Sequence, residues 1–192
     1  MFKNRLLVAS AALLLALFGC TGSDGWAETS KEDFLAIANS YTLDAAKAAY
    51  SKGQCTQKTV SSVESNGLNS EMKSLLESAM QASDEETLPI EAITERHLIN
   101  EGHKLEDLSF NDAEYASTDA KYYKKDGGLR AVADIKSEKE GTTLTGKATI
   151  VCNEVGLLTL YKVDMVGIMK IGGTDATAKI TIQVEASFTW SK

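Results

Sequence analysis

The sequence ATAKITIQVEASFTW, residues 176–190, alternates apolar and polar side chains along its whole length. Apolar residues stand at the even positions, from Ala176 to Trp190, and polar residues stand at the odd ones. Because successive side chains of a β-strand point to opposite faces, this period of two predicts one long strand with a buried and a solvated face. The fold is therefore expected to be built around a sheet.

Three segments upstream alternate in the same way and predict the neighbours of that strand; they are residues 129–135, 142–152 and 157–171. Clusters of Gly, Asn and Asp separate them, as expected for tight turns between antiparallel strands. Within residues 157–171 the apolar positions change from even to odd numbers, which predicts a β-bulge near Leu160. We expect a four-stranded meander, and residues 104–124 offer a weaker fifth strand.

The first half of the chain shows a helical period instead. Ser30 and Asp33 form a capping-box pattern, and apolar residues then recur at helical spacing until Gly53. A second helix is predicted over residues 70–82, and a third from about residue 87 to 102, with its proline in the first turn. Together these patterns predict an α+β domain in which about three N-terminal helices pack on one face of a C-terminal antiparallel sheet of four or five strands.

The chain begins with a segment typical of export signals. Two positive charges lie within the first five residues, and the 13 residues that follow, 6–18, carry no charge. A helix of that length covers roughly 20 Å, which is less than the ~30 Å hydrocarbon core of a bilayer. The segment is therefore interpreted as a secretory signal and not as a membrane-spanning anchor.

The residues Leu17-Phe18-Gly19-Cys20 close this segment and resemble the lipobox of bacterial lipoprotein precursors. The resemblance implies cleavage before Cys20, lipidation of that cysteine and attachment to a membrane. Thr21, in place of Asp, implies the outer membrane without deciding which side the protein faces. The expected organisation is a signal peptide over 1–19, a lipidated cysteine and tether over 20–29, and a single α+β domain over 30–192. The alternative is an ordinary signal cleaved later, for instance after Ala27, which would discard Cys20.

Charge is concentrated in one part of the chain. Residues 84–119 contain eleven acidic residues and two basic ones. Because nucleic-acid binding requires clustered Lys and Arg to neutralise phosphates, this composition argues against a nucleic-acid partner. The acidic stretch 84–119 is either a docking surface for a basic protein or a solvated face that keeps the domain soluble.

Two cysteines, Cys55 and Cys152, are left in the expected domain once Cys20 is lipidated. An exported protein folds in an oxidising compartment, so we expect these two to form a disulfide. The alternative is a pair of separate buried thiols.

Catalytic motifs are scarce in this sequence. It contains no Gly-x-Ser-x-Gly and no Cys-x-x-Cys. Its two histidines, His97 and His103, are six residues apart, which would place their rings on different faces of a helix. We therefore expect no metal and no cofactor, leave enzymatic activity open without favouring it, and interpret His97 as an imidazole at the edge of the core. Asp164 is expected to form a cross-strand ion pair on the strand face that carries Lys162.

Two further features are candidates for binding. Large apolar residues alternate with small ones on the expected buried face, and Met165, Met169, Phe188 and Trp190 are candidates for lining an apolar pocket. The alternative is that the helices fill this space. The cluster Lys-Tyr-Tyr-Lys-Lys at 121–125 suits either lipid headgroups or an acidic partner, and it also suits a simple solvated hairpin.

These observations favour a non-enzymatic cell-envelope lipoprotein that binds a protein partner or an apolar ligand. The alternative is a structural or assembly subunit of an outer-membrane or envelope complex.

Overall fold

The computed structural model describes residues 25–99, 116–139, 142–172 and 175–192. These ranges contain eight strands, three α-helices and one 3₁₀ turn at Glu95–His97. The strands are β1 (Ala27–Thr29), β2 (Lys52–Asn66), β3 (Ala82–Ile90), β4 (Ala116–Lys125), β5 (Gly128–Lys139), β6 (Thr142–Cys152), β7 (Leu158–Lys170) and β8 (Thr177–Ser191). The helices are α1 (Lys31–Ala38), α2 (Leu43–Ala49) and α3 (Ser70–Met80).

All eight strands belong to one antiparallel sheet with the order β1-β4-β5-β6-β7-β8-β2-β3. The prediction of three helices on a sheet of four or five strands is wrong, because the N-terminal half supplies three strands as well as short helices. The predicted meander, β5 to β8, lies at the centre of the larger sheet. β7 pairs with only one edge of β8, so the backbone groups on the other edge of β8 need a partner. β2 pairs with that edge along the whole length of β8.

β2 was not predicted because both of its faces are largely polar. Cys55 and Val63 are the only buried apolar residues on it, and polar or charged residues fill most other positions. Periodicity in hydrophobicity is therefore too weak to reveal the strand, although Thr and Val favour extended structure.

The predicted third helix over residues 87–102 is also wrong. The chain continues as strand β3 to Ile90 and then forms the 3₁₀ turn Glu95–His97. Among the described strands β3 pairs only with β2, so Pro89 lies in an edge strand, where the missing N–H is tolerated.

The predicted first helix is divided into α1 and α2, each with its own N-cap. The Ser30 hydroxyl accepts a 3.1 Å hydrogen bond from the Asp33 N–H, and the Thr42 hydroxyl accepts one of 3.2 Å from the Ala45 N–H. The second predicted helix is confirmed as α3, which begins after the cap Asn69. None of the helices in the described ranges is long and apolar enough to cross a bilayer.

The core lies on one face of the sheet, which we call the inner face; the opposite one is the outer face. α1 brings Phe34 and Ala38 onto β4 to β7, and α3 packs Leu76 and Met80 near Val63 of β2. The predicted bulge near Leu160 is confirmed: the pairing of β6 with β7 shifts at Cys152, so that both halves of β7 direct apolar side chains inward.

Candidate functional site

A strip of the inner face lies between the two groups of helices. Three directly opposed pairs of β7 and β8 form it, Tyr161 with Ala186, Val163 with Val184, and Met165 with Ile182. We call these six residues the inner strip. Val163 and Met165 are buried together with Ile135 and Ala148, while Tyr161, Ile182, Val184 and Ala186 remain half-exposed.

The apolar cluster at the inner strip is built from strand residues. Its buried members and the partly buried residues packed against them come from β5, β6, β7 and β8, with no residue of α1, α2 or α3 among those the structure describes. The other three apolar clusters each contain a helical residue, as Phe34, Ala46 and Leu76 show. The described helices therefore contribute no side chain to the apolar cluster in the middle of the inner face.

One margin of the inner strip is polar. Gln57, Thr59 and Ser61 of β2 stand directly opposite Ala186, Val184 and Ile182, as the pairing of β2 with β8 shows. Gln57 and Thr59 are exposed, whereas the Ser61 hydroxyl donates a 2.8 Å hydrogen bond to the Met80 main-chain oxygen at the end of α3. An apolar surface with an amide and a hydroxyl along one side can hold a molecule with an apolar body and one polar group.

The four residues predicted to line a pocket share the inner face but do not converge. Met165 belongs to the inner strip, and Met169 packs beside α3 with Val63, Ala178 and Ile180. Phe188 and Trp190 lie beyond the end of the inner strip that is remote from α3, and their rings stack with centroids 6.2 Å apart. The strand pattern identified the face correctly, but the positions along each strand assign the four to separate clusters.

The predicted disulfide between Cys55 and Cys152 is not formed, and both cysteines are buried thiols. Cys55 lies on β2 and Cys152 on β6, three strand positions apart in the sheet order. That separation is roughly 14 Å, whereas the Cα atoms of a disulfide lie within about 7 Å of each other. Burial raises the pKa of the Cys152 thiol to about 11, which keeps it protonated and unreactive at neutral pH.

His97 lies at the edge of the core, as predicted. Its Nδ1 accepts a 3.0 Å hydrogen bond from the Thr94 N–H, and its ring meets the edge of Trp190 at a centroid distance of 5.5 Å. Burial, with the charge of Arg96, lowers the pKa of His97, so the imidazole is neutral at pH 7. His103 lies outside the described residues. Within the described ranges, no three His, Cys, Asp or Glu side chains converge as a metal site requires.

Asp164 lies on the outer face in a polar network, but its ion pair is with Lys162 of the same strand and not across strands as predicted. Its carboxylate is 3.5 Å from Lys162 Nζ and accepts a 2.7 Å hydrogen bond from the Gln183 amide, while Lys162 also contacts Glu185 at 3.7 Å. A groove of about 380 Å³ opens beside this network, lined in part by Val60 and Val166. These partners account for Asp164 without a catalytic role.

A spacing of Gly-x-x-x-x-Gly-Lys occurs at residues 141–147, with Ala148 where phosphate-binding loops carry Ser or Thr. The structure places residues 142–147 within strand β6. A phosphate-binding loop must lie between a strand and a helix, so this segment does not form one.

The acidic stretch 84–119 is only partly described. Asp84, Glu85 and Glu86 lie on β3, the edge strand, and are exposed. Lys58 of the neighbouring strand approaches Glu85 at 3.9 Å. Residues 100–115 of the stretch lie outside the described residues, and the acids on β3 form an acidic sheet edge.

Comparisons with family models, curated proteins and solved structures found no match to this chain. The polar margin Gln57 and Thr59 was missed at the level of sequence, because β2 itself was missed; its repeated Thr and Ser residues are the one signal that favours a strand there.

Proposed function

We propose that this chain is a lipid-anchored, non-enzymatic protein of the cell envelope that binds an apolar ligand carrying one polar group. The inner strip is the observation that supports this proposal. It offers apolar side chains from β7 and β8, four of which are partly exposed, beside the exposed Gln57 and Thr59. The lipobox at residues 17–20 supports the lipid anchor, and Thr21, which follows it, supports a location at the outer membrane.

The size of the strip is suited to an acyl chain. Three residue pairs span five residues of each strand, and four steps of ~3.4 Å give a length of roughly 14 Å. An extended acyl chain of that length would bury apolar area on binding, and each Å² of that area contributes about 25 cal/mol to the free energy of binding. The amide of Gln57 and the hydroxyl of Thr59 are positioned to accept or donate hydrogen bonds to a carboxyl or ester group.

The test is a titration of the purified protein with cis-parinaric acid, a fluorescent fatty acid. Ala186→Phe fills the strip, and Ser187→Phe adds the same ring to the outer face one residue away. We expect the first to weaken binding about tenfold or more, equivalent to ~1.4 kcal/mol, and the second to leave it unchanged. Equal affinities of the two variants, or no binding by the wild type, would reject the proposal.

A second candidate function, assembly into an envelope complex through the acidic edge, is favoured by one observation. β3 presents Asp84, Glu85 and Glu86 on a strand that pairs on only one side among the described strands. Charged residues and proline also protect edge strands from aggregation, which explains the same residues without a partner. Zero-length carbodiimide cross-linking in intact cells separates the two: a docking edge yields cross-links at Asp84 or Glu86 in excess of those at the exposed Asp44.

A further inference from the structure

A cation lies between two aromatic rings at the edge where the described chain enters the sheet. Arg130 Cζ is 5.0 Å from the ring centroid of Trp26 and 4.5 Å from that of Tyr123. Tyr123 and Arg130 are directly opposed on β4 and β5, and Trp26 precedes β1, which pairs with β4. Indole and phenol rings combined with cations are typical of protein surfaces that contact the interfacial region of a bilayer.

Three exposed lysines surround this arrangement. They are Lys121, Lys124 and Lys125 of β4, and the last two come directly before the turn that leads to β5. We call the set comprising Trp26, Lys121, Tyr123, Lys124, Lys125 and Arg130 the basic edge. Two acids, Glu28 and Asp126, lie among its four cations, and Glu154 lies beside Gly127 of the turn. The four cations still outnumber these three acids, in a chain whose net charge is −7.

The turn of the basic edge has a fixed conformation. Asp126 and Gly127 both have positive φ, 48° and 81°, as a tight hairpin turn requires. The Tyr41 hydroxyl, in the segment that joins α1 to α2, donates a hydrogen bond to the Gly127 main-chain oxygen. Lys124 and Lys125 therefore project from a supported hairpin, beside a cavity of about 270 Å³ that is also lined by Ile37.

The start of the described chain lies at this hairpin. A Cβ placed on Gly25 would stand 3.3 Å from Lys125 Nζ, so the backbone at Gly25 passes beside that ammonium group. Cys20 precedes Gly25 by five residues, which reach at most about 18 Å when fully extended. An acyl anchor on Cys20 would therefore hold the basic edge close to the membrane surface.

The opposite edge of the sheet carries the opposite charge. β3, with Asp84, Glu85 and Glu86, is separated from β4 by six strand spacings, or roughly 29 Å. This distance exceeds the ~8 Å Debye length at physiological ionic strength, so a negatively charged surface would attract one edge while the other stays outside its field.

From these observations we propose that the basic edge lies against the headgroups of an anionic phospholipid bilayer and directs the acidic edge away from it. The inference rests on the proposed lipid anchor at Cys20. The anchor holds the domain near the bilayer, and the attraction of the lysines to the anionic surface sets the orientation of the domain. Trp26 and Tyr123 then lie at the level of the headgroups.

The two tryptophans provide the test. The protein is purified in its membrane-anchored form, its intact mass is measured for the lipid adduct, and it is reconstituted into phosphatidylglycerol vesicles that carry a nitroxide quencher on a headgroup. Trp190→Phe leaves Trp26 as the fluorophore, and Trp26→Phe leaves Trp190, which lies four strands away from β4. We expect quenching of Trp26 and little quenching of Trp190.

Charge variants test the recognition itself. Lys124→Glu with Lys125→Glu should reduce quenching of Trp26 to the level of Trp190, and Lys170→Glu with Lys179→Glu, at the far ends of β7 and β8, should leave it unchanged. About 1 M salt, where the Debye length is ~3 Å, should act like the first pair.

Each outcome is decisive. A lipid adduct with unquenched Trp26, or with equal quenching of both tryptophans, overturns the orientation while the anchor stands. Equal quenching in zwitterionic and anionic vesicles overturns recognition by charge. A mature protein without the adduct overturns the anchor, and with it this inference.

Discussion

The indole Nε1 of Trp190 donates a 2.7 Å hydrogen bond to the main-chain oxygen of Leu158. Leu160 is the first residue of β7 that pairs with β8, so Leu158 lies just beyond the end of that ladder. The indole thus replaces main-chain pairing where the ladder ends. It also closes one end of the inner face, where it stacks on Phe188.

Replacing Trp190 by Phe should destabilise the protein by about 1–2 kcal/mol, because the Leu158 oxygen loses its donor in a partly buried place. Thr189→Ser, on the adjacent outer-face position, should change the free energy of unfolding by less than about 0.5 kcal/mol. Urea denaturation followed by circular dichroism measures both. Equal stabilities would show that the hydrogen bond contributes nothing.

Gly146→Ala should be strongly destabilising, because a Cβ at this position would overlap the main-chain oxygen of Asp164 in the neighbouring strand. Overpacking of this kind costs about 1–3 kcal/mol, or more where backbone has to move. Gly172→Ala is the matched control, since a Cβ there meets nothing within 4 Å. The prediction fails if the two variants unfold at the same urea concentration.

Stability should fall at alkaline pH. Burial raises the pKa of Cys152 from 9.0 to about 11, and burial also raises the pKa of Tyr41. Above pH 9 the unfolded chain releases protons that the folded chain retains, so this contribution to stability is complete below pH 9 and is lost as the pH rises toward 11.

Cys152→Ala should therefore flatten the decline in the free energy of unfolding between pH 9 and 11, by about 2 kcal/mol. Gly172→Ala, which adds no ionisable group, should follow the wild-type profile. Parallel profiles for Cys152→Ala and the wild type would contradict the shifted pKa.

Asp164→Asn should cost less than about 1 kcal/mol, because its carboxylate lies on the solvated face and its side chain is 49% exposed. The cost should shrink further at high salt, which screens the contact with Lys162. Urea denaturation at low and high ionic strength measures it. A cost of several kcal/mol would indicate a role that the polar network does not explain.

Cells grown with radioactive palmitate should label the wild-type protein and not Cys20→Ala. Cys55→Ala is the control, because it removes a buried cysteine that the structure places in the sheet, and it should be labelled like the wild type. Equal labelling of Cys20→Ala and wild type would remove the lipid anchor from the proposed function.

Strands with one apolar face could be predicted from the sequence almost to the residue. β6 was expected over residues 142–152 and is found there, and β8 was expected to begin at Ala176 and begins at Thr177. The bulge in β7 was also predictable, since a single extra residue moves apolar side chains to the other parity.

The parts of the fold that could not be predicted depend on pairing between segments that are distant in sequence. The periodicity of apolar residues carries no information about such pairing. β2 gains its stability from β8 and needs few apolar side chains of its own, so its pattern resembles a polar loop. β3 combines acids with Pro89, a pattern that equally suits the first turn of a helix. The cysteine pair was predicted from the redox compartment alone, whereas the sheet order that separates Cys55 from Cys152 follows from the position of β2.

The pairing of β2 with β8 also governs how the chain folds. Lys52 lies opposite Ser191, and Asn66 lies opposite Thr177, so the two strands meet across more than a hundred residues. Hairpins such as β5–β6 and β7–β8 form from contacts that are local in sequence. The edge of β2 that faces β8 can be paired only after the last strand is in place. Until then a fifteen-residue edge without its partner is open to other chains, which makes the interval before β8 pairs with β2 the period of greatest risk of aggregation.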